Sequence, residues 1–213
     1  MYTKSIAALA AAAALIPVAV QAQENVFKVG PIRYTTDSRT NGVTGPGIPP
    51  GADAETGDAT TLLLVYERMV TPHVGLEAVL GIPPRVKADA TGTVAFLGDD
   101  ILSAKFVAPT FFVNWHFGEP GAAWRPYAGI GVNYTKFVSI RSRLAEDVSM
   151  GDSTGLAVQA GVDYALSPQW GLWASVAALK VRSKLVATTP GTVLTTTIDF
   201  RPLTWQFGAS YRF

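Results

Sequence analysis

The sequence predicts an all-β protein, an eight-stranded antiparallel up-and-down transmembrane β-barrel. Three observations support this prediction. Apolar and polar residues alternate along several separate segments, which is the pattern of strands with two different faces. The body of the chain has no run of about 20 apolar residues, so it offers no membrane-spanning helix. The links between the alternating segments are mostly short and long in turn, as they are in membrane barrels.

The N-terminal residues predict export. Lys4 precedes the apolar stretch IAALAAAAALIPVAV, and small residues surround Ala22, which is the arrangement of a cleaved secretory signal. We therefore expect residues 1–22 to be a cleaved signal peptide and residues 23–213 to form the barrel. A retained membrane anchor is the alternative, although the apolar stretch is short for a membrane span.

Composition and motifs argue against several classes of protein. The 213 residues suit one domain or a small pair, and the absence of cysteine excludes disulfides and thiolate metal sites. Without Lys4, basic and acidic side chains balance at 16 each, so no basic surplus indicates nucleic-acid binding. No two-histidine metal spacing or phosphate-binding glycine motif occurs, and we expect no cofactor and no metal.

Period-two alternation, bounded by turn residues, locates the strands. The eight predicted strands cover residues 26–34, 60–70, 74–82, 103–117, 127–137, 153–166, 170–186 and 203–213. The Gly/Pro-rich residues 37–59 are predicted to be a loop, and residues 138–152 a linker with room for one short helix. The links TPH, GEPGAAWRP and SPQ are short or moderate, so they belong together at one end of the barrel.

The two faces of the strands indicate which side meets lipid. Large apolar residues occupy one face of the last strand, and Gln206, Gly208, Ser210 and Arg212 occupy the other. An eight-stranded barrel is narrow, so the small and polar face fits inside and the large face is expected to contact lipid. Aromatic residues also gather near the short links, as in an interfacial belt. A soluble barrel with an aromatic core is the alternative.

Several segments resemble the OmpW family of outer-membrane proteins. LGDDILSAKFVAPTFFVNWHF is similar to the family's proline-containing strand that leads to an aromatic pair, and RPYAGIGVNYTKF matches the strand that follows it. LAVQAGVDYAL and the terminal GASYRF match two further strands, and VGLEAVLGIPP resembles the third strand. The chain departs from the family at Ala108-Pro109, where two adjacent prolines are usual.

This resemblance implies an eight-stranded barrel in the outer membrane of Gram-negative bacteria. We also expect a monomer, with outer-membrane lipids and lipopolysaccharide as partners. It also implies uptake of small hydrophobic solutes, including alkanes and aromatics in the AlkL-like branch, with sideways release into the membrane. Some members of the family serve as phage or colicin receptors. The aromatic C-terminus, with Tyr211 and Phe213, resembles the insertion signal read by the outer-membrane assembly machinery.

Alternation places two sets of side chains inside the barrel. The polar set lies near the short links and is predicted to form a paired, closed lumen floor of Glu67, Glu77, Asn114, His116, Asp163 and Arg212, with Lys28 as a further candidate. The apolar set lies above it and is predicted to line a substrate lumen: Leu63, Val65, Val79 and Phe112. A filled structural core is the alternative interpretation of both sets.

A hydrophobic solute above a closed floor needs a lateral exit. Proline lacks a donor for the strand ladder, so Pro109 is predicted to mark a lateral opening beside the second loop, which Pro83 and Pro84 also flank. The alternative is that these prolines only end strands.

The sequence is also compatible with one other function and argues against a second. A non-transporting structural or receptor barrel is the main alternative, with Arg39, Arg85, Lys87, Arg141 and Arg143 as loop cations for lipopolysaccharide phosphates. An enzyme is not expected, because His73 and His116 are the only histidines and no motif supports Ser210 as a nucleophile.

Overall fold

The computed structural model describes residues 24–36, 38–40, 42–189 and 192–213, so the predicted signal peptide lies outside the described residues. The described chain forms strands joined by turns and loops, with a 3-10 turn at Ala95–Leu97. The strands are β1 (Asn25–Thr36), β2 (Arg39–Thr40), β3 (Ala52–Thr56), β4 (Ala59–Met69), β5 (Val74–Gly81), β6 (Arg85–Gly92), β7 (Leu102–Val107), β8 (Thr110–His116), β9 (Trp124–Ser142), β10 (Asp147–Met150), β11 (Ser153–Ala165), β12 (Trp170–Leu179), β13 (Arg182–Thr189), β14 (Thr192–Asp199) and β15 (Pro202–Arg212).

Eight of these strands close into the predicted antiparallel barrel. Their order around the wall is β1, β4, β5, β8, β9, β11, β12 and β15, and β15 pairs with β1 to complete the circle. Val29, for example, pairs with Leu64 of β4 on one side and Ala209 of β15 on the other. The links after β4, β8 and β11 share one end, here called the short-turn end, and the longer connections lie at the opposite, long-loop end.

The faces of the wall confirm the prediction from alternation. In β8, Thr110, Phe112, Asn114 and His116 are buried inside the barrel, and the residues between them are about half exposed on the outer surface. The same outward pattern gives β15 its exposed Trp205 and Phe207. A surface band of large apolar side chains around a closed barrel is what lipid contact requires.

The long connections contain more strand than the sequence predicted. The wall continues past the barrel as a sheet of β3, β6, β7 and the end of β9, opposite a second sheet of β10, β13, β14 and β2. The linker 138–152 therefore holds strand rather than the short helix that the sequence allowed, because β9 runs on to Ser142 and β10 pairs with β13. No helix in the described chain is long and apolar enough to cross a membrane.

Two predicted strands are each divided in two. Residues 170–186 form β12 and the first part of β13, which are separated by Lys180 and Val181. Residues 103–117 were expected to form one continuous strand, but β7 ends at Val107 and β8 begins at Thr110. Ala108 and Pro109 interrupt the strand, since Pro109 fixes its own backbone angle and has no N–H to donate. Pro83 and Pro84 interrupt the neighbouring strand in the same way between β5 and β6.

Candidate functional site

The short-turn end of the barrel interior is closed by a buried polar cluster, here called the floor, that is centred on Lys28. The Lys28 side chain points inward from β1 and the residue is only 1% exposed. Its Nζ lies 2.9 Å from Glu67 Oε2, 2.9 Å from Asp163 Oδ1 and 3.8 Å from Glu77 Oε2. The ammonium also lies 4.7 Å from the centroid of the Tyr127 ring. One buried cation is therefore shared by three carboxylates from three other strands.

Two side-chain amides link two of these carboxylates, Glu67 and Glu77, across the lumen. Asn114 Nδ2 donates hydrogen bonds to Glu67 Oε1 at 2.9 Å and to Glu77 Oε2 at 3.2 Å. Gln159 Nε2 donates to Glu77 Oε1 at 2.8 Å and to Asn114 Oδ1 at 2.7 Å. Buried polar groups are tolerated when they are paired in this way, and the pairing extends from β4 and β5 through β8 to β11.

His116 completes the floor by hydrogen-bonding to one of its acids and lying near another. Its Nε2 donates to Glu67 Oε1 at 2.8 Å, and its Nδ1 lies 3.6 Å from Asp163 Oδ2. The ligand atoms of these three residues lie within 4.8 Å of one another, a spacing that could hold a metal ion. The Lys28 ammonium, however, lies 2.9 Å from both carboxylates and so supplies the positive charge at this position.

Glycines on the inner face give the floor its space. A methyl group at Gly75 would collide with the Glu67 carboxylate, and one at Gly129 would collide with the side-chain oxygen of Asn114. In a narrow barrel, large polar side chains can cross the lumen only where the opposing wall residues are small. The glycines therefore make room for the bridging acids and amides.

A packed apolar layer lies directly above the floor. The four residues predicted to line a substrate lumen are all inward and buried, and they pack in one cluster: Leu63, Val65, Val79 and Phe112. Trp173 and Ala157 belong to the same cluster. The sequence predicted that the free space of the lumen lies at these four residues. The structure places it elsewhere, because none of the four lines either of the two cavities described next.

The first cavity, here called the inner chamber, lies beyond this layer toward the long loops. Its volume is about 40 Å³ and its lining is mostly apolar, including Tyr34, Val86, Phe106, Ala108, Phe137 and Phe200. Ring contacts connect the Phe137 side chain to Phe106 (centroids 6.2 Å apart) and to Phe200 (5.8 Å). The aromatic residues thus reduce the lumen to a narrow space.

The second cavity, here called the outer chamber, lies among the extended strands and long loops. It measures about 150 Å³, and most of its lining is aliphatic, including Ile48, Leu97, Ile101, Leu144, Leu185 and Ile198. The two chambers are neighbours along the chain, because Val181, directly before β13, lines the inner one and Leu185 of β13 lines the outer one. A cavity of about 150 Å³ lined by aliphatic residues is large enough for a molecule such as benzene.

The wall beside the inner chamber is incompletely hydrogen-bonded. Regular pairing between β5 and β8 ends at Val79 and Thr110, and pairing between β6 and β7 starts at Arg85 and Lys105. Between these pairs, the described backbone has one long bond, from the Phe106 N–H to the Pro84 carbonyl at 3.4 Å. We call this interval the wall break. Val86, Phe106 and Ala108 border the wall break and also line the inner chamber.

The prolines at the wall break act on different sides of it. The Pro84 carbonyl accepts from Phe106, so the donor that Pro84 lacks would point across the break. The Pro109 carbonyl accepts from the Tyr134 N–H, so its missing donor would point toward β9 instead. Pro109, predicted to mark the lateral opening, therefore lies at the edge of the break and interrupts the strand there, whereas Pro84 removes a donor from the break itself.

A buried asparagine ties the β8 edge of the break to β9. The Asn133 side chain is inward, and its Nδ2 donates to Thr110 Oγ1 at 2.7 Å and more weakly to the Ala108 carbonyl at 3.4 Å. Its Oδ1 accepts from Thr135 Oγ1 at 2.7 Å. The sequence prediction did not single out Asn133, although its position in the alternation of β9 places it inside the barrel.

Arg212 is the member of the predicted floor that the structure places elsewhere. Its side chain is partly exposed at the rim of the barrel and forms an ion pair with Glu24. The alternation of β15 places Arg212 on the inward face of the strand. Arg212 is the last residue of β15, however, so its side chain lies beyond Lys28 toward the short-turn end. Gln159, which the sequence analysis did not assign to the floor, takes part in it instead.

The C-terminal aromatics are on the lipid side. Tyr211 and Phe213 are exposed on the outer face, and the Phe213 ring stacks on Phe27 of β1 with centroids 5.5 Å apart. The Phe213 N–H also donates to the Asn25 carbonyl at 2.9 Å. The last residue of the chain is thus part of the contact that closes the barrel.

Comparisons with known proteins all point to one family of outer-membrane proteins. A family model described as the OmpW family matches residues 21–213. The chain is 31% identical over 160 residues to outer membrane protein W of Salmonella typhi, with 72% of this chain and 73% of that protein covered. It is 24% identical over 169 residues to outer membrane protein AlkL of Ectopseudomonas oleovorans, with 79% of this chain and 73% of that protein covered.

The fold is also similar to solved structures. The crystal structure of the outer membrane protein OprG from Pseudomonas aeruginosa superposes with a TM-score of 0.83 at 24% identity, covering 90% of this chain and 96% of that chain. At this identity the likeness concerns the fold, and it agrees with the closed barrel described above.

Proposed function

The chain belongs to the OmpW family of outer-membrane proteins, and from this premise we propose that it takes up small hydrophobic molecules across the outer membrane. The solute enters from the cell exterior at the long-loop end, passes through the outer and inner chambers, and leaves sideways into the membrane through the wall break. The short-turn end faces the periplasm in this proposal.

One arrangement carries this proposal: the apolar inner chamber lies above a charged floor and beside a break in the wall. A hydrophobic solute in the inner chamber meets Lys28 and three carboxylates if it moves further along the axis, after the packed layer of Leu63, Val65, Val79 and Phe112. Leaving the lumen past Ala108, Phe106 and the prolines exposes the solute mainly to apolar side chains and lipid. The favourable exit for such a solute is therefore lateral.

Transport requires the inner chamber to widen. Pockets that hold drug-sized ligands measure roughly 300–1,000 Å³, and the inner chamber measures about 40 Å³. Phe137 contacts Phe106 and Phe200 across the lumen, so rotation of these rings is the simplest way to create space. In this proposal the aromatic rings close behind the solute and keep the path narrow when it is empty.

Growth of a deletion strain tests the proposed uptake. Cells that lack the protein should grow poorly on a dilute hydrophobic carbon source and normally on a water-soluble one, and a plasmid copy should restore growth. Equal growth of deletion and parent strains on the dilute hydrophobic source would exclude a role in uptake. General sensitivity to detergents and antibiotics, without a substrate-specific defect, would indicate a structural role.

A non-transporting structural or receptor barrel is the second candidate, and the small inner chamber is the observation that favours it. In this case the lumen is a filled core, and the two sheets at the long-loop end present surfaces to lipopolysaccharide, phage or other partners. The growth experiment separates the two candidates, because only uptake depends on the hydrophobicity of the carbon source.

The proposed partners follow from the membrane location. They are outer-membrane lipids and lipopolysaccharide, the hydrophobic solute, and the outer-membrane assembly machinery, which we propose to recognise Tyr211 and Phe213 at the C-terminus. Since every strand of the closed barrel is paired on both sides, the wall has no open edge that would need a second copy, and we propose a monomer.

A further inference from the structure

The outer face of the sheet above the wall break carries an array of basic side chains. Register places Arg85 of β6 directly opposite Lys105 of β7, and Lys105 opposite Ser139 of β9. The next row toward the exterior consists of Lys87, Ser103 and Arg141. Neighbouring strands are about 4.8 Å apart and alternate residues about 7 Å, so the two rows place four cations and two hydroxyls within a small area.

A fifth cation extends the array toward the membrane. Lys136 lies opposite Val107, one step closer to the lipid-facing part of the wall, and its side chain is exposed. Lys87 is paired with Asp100, so we define the basic patch as the other four residues: Arg85, Lys105, Lys136 and Arg141. Within the part of the chain that the structure describes, none of these four forms an ion pair.

The Arg85–Lys105 pair is unfavourable in the protein alone. Directly opposed side chains in an antiparallel pair have Cβ atoms about 4.5–5.5 Å apart, and like charges at this distance repel each other. The hydrogen bond from Arg85 Nη1 to Ser103 Oγ, at 3.3 Å, brings no negative charge to the pair. An external anion between the two cations would remove the repulsion, and the serine hydroxyls can donate to its oxygens.

The surroundings of the patch restrict where the anion is held. Below it, the outer surface is apolar, with Ile82 61% exposed and Phe111 53% exposed. Above it, Asp89 of β6 lies directly opposite Glu55 of β3, so the surface becomes acidic further from the membrane. Of the nearby acids, Asp100 pairs with Lys87, and Asp152 accepts a hydrogen bond from Tyr134. The unpaired positive charge is thus confined to the boundary between the lipid band and the exterior.

We propose that the basic patch binds the phosphates of lipid A, the phosphorylated glycolipid of the outer leaflet, and holds one such lipid beside the wall break. Arg85 and Lys105 share one phosphate, and Lys136 and Arg141 surround the same headgroup from β9. Arginine suits this role because its planar guanidinium matches phosphate oxygens, and basic residues at a membrane surface attract anionic headgroups. The inference rests on the proposed lipopolysaccharide partner, but it does not depend on solute uptake.

The test uses the full-length mature protein in detergent, incubated with diphosphoryl lipid A or with the same glycolipid after removal of its phosphates. Native mass spectrometry measures the lipid retained. Each basic residue near an anionic surface contributes about 1 kcal/mol, so neutralising two in Arg85→Gln/Lys105→Gln should weaken retention of lipid A roughly 30-fold. The matched control, Arg33→Gln/Arg201→Gln, removes two exposed cations that already pair with Asp58 and Asp199 and should retain lipid A normally.

Thermal unfolding separates the binding role from a structural one. Without lipid, Arg85→Gln/Lys105→Gln should be at least as stable as the wild type, because a repulsive pair is lost. Added lipid A should raise the Tm of the wild type and the control but not of this variant. A second pair, Lys136→Gln/Arg141→Gln, should lose retention in the same way and makes the result independent of one variant's folding. Equal retention of lipid A by wild type and both patch variants, or equal retention of the two glycolipids by the wild type, would overturn the proposal.

Discussion

Lys28 Nζ lies 2.9 Å from Glu67 Oε2, and both residues are only 1% exposed. This contact joins β1 to β4 inside the barrel, and Asp163 holds the same ammonium from β11 at 2.9 Å. Without the cation, the three carboxylates of the floor would face one another with only amides and one imidazole between them. The floor therefore depends on Lys28.

Lys28→Met should strongly destabilise the barrel. Removing one partner of a buried ion pair leaves uncompensated charge and costs about 3–5 kcal/mol of unfolding free energy. Urea unfolding of the refolded protein in detergent measures this loss. Lys184→Met, a lysine exposed on β13, is the matched control and should change stability little. A loss for Lys28→Met no larger than that for the control would show that the floor does not need the cation.

Glu77→Ala/Gln159→Ala should open the floor to ions. The two side chains are hydrogen-bonded to each other across the lumen at 2.8 Å, and their truncation removes the link between β5 and β11. Conductance in planar bilayers should be near zero for the wild type and clearly higher for the variant. Glu119→Ala/Gln169→Ala, which changes exposed residues in the turns at the same end, is the control. Wild-type conductance in the floor variant would mean that another layer makes the seal.

Ala108→Phe should block the proposed path without disturbing the outer surface. The added ring enters the inner chamber of about 40 Å³ next to the wall break, so little free volume remains there. Uptake of a labelled hydrophobic solute by cells should lose most of its rate. Ala174→Phe makes the same change on the lipid-facing side of β12 and should leave uptake intact. If both variants transport equally well at equal surface amounts, the solute does not pass through the inner chamber.

Phe213→Ala should reduce the amount of protein inserted in the outer membrane. The proposed assembly signal ends at Phe213, and its ring also contacts Phe27 where the barrel closes. Phe207→Ala removes an exposed aromatic from β15, upstream of the C-terminal residues, and should assemble better. Immunoblotting of outer-membrane fractions compares the two variants. Equal insertion would remove the special role proposed for the C-terminal residue.

The sequence predicted the barrel because each strand has its own local pattern. Alternation in β8 placed Asn114 and His116 inside the barrel, where the structure has them. The same argument assigned Arg212 to the correct face of its strand but to the wrong part of the barrel. Alternation identifies the face on which a residue lies, but it does not give the position of that residue along the barrel axis. Lys28 remained a candidate only, because Gly30 and Pro31 weaken the alternation of β1.

The extended sheets could not be predicted because their pairings join distant parts of the chain. Arg39 and Thr40 of β2 pair with Asp199 and Ile198 of β14, and Thr44 bridges to Thr195. The Gly/Pro-rich composition of residues 37–59 indicates a loop and contains no sign of these partners. The position of the inner chamber was missed for a related reason, since the lining residues Tyr34, Phe106 and Phe200 are far apart in the sequence.

The most direct test of the account is whether the wall break is the exit for the solute. Pro84→Val/Pro109→Val supplies the missing N–H groups and favours a continuous wall, whereas Pro126→Val changes an exposed proline of β9 away from the break. The rate at which cells take up a labelled hydrophobic solute should fall severalfold in the double variant and remain at the wild-type level in the control. Unchanged uptake by the double variant, at equal surface expression, would contradict lateral release through the wall break.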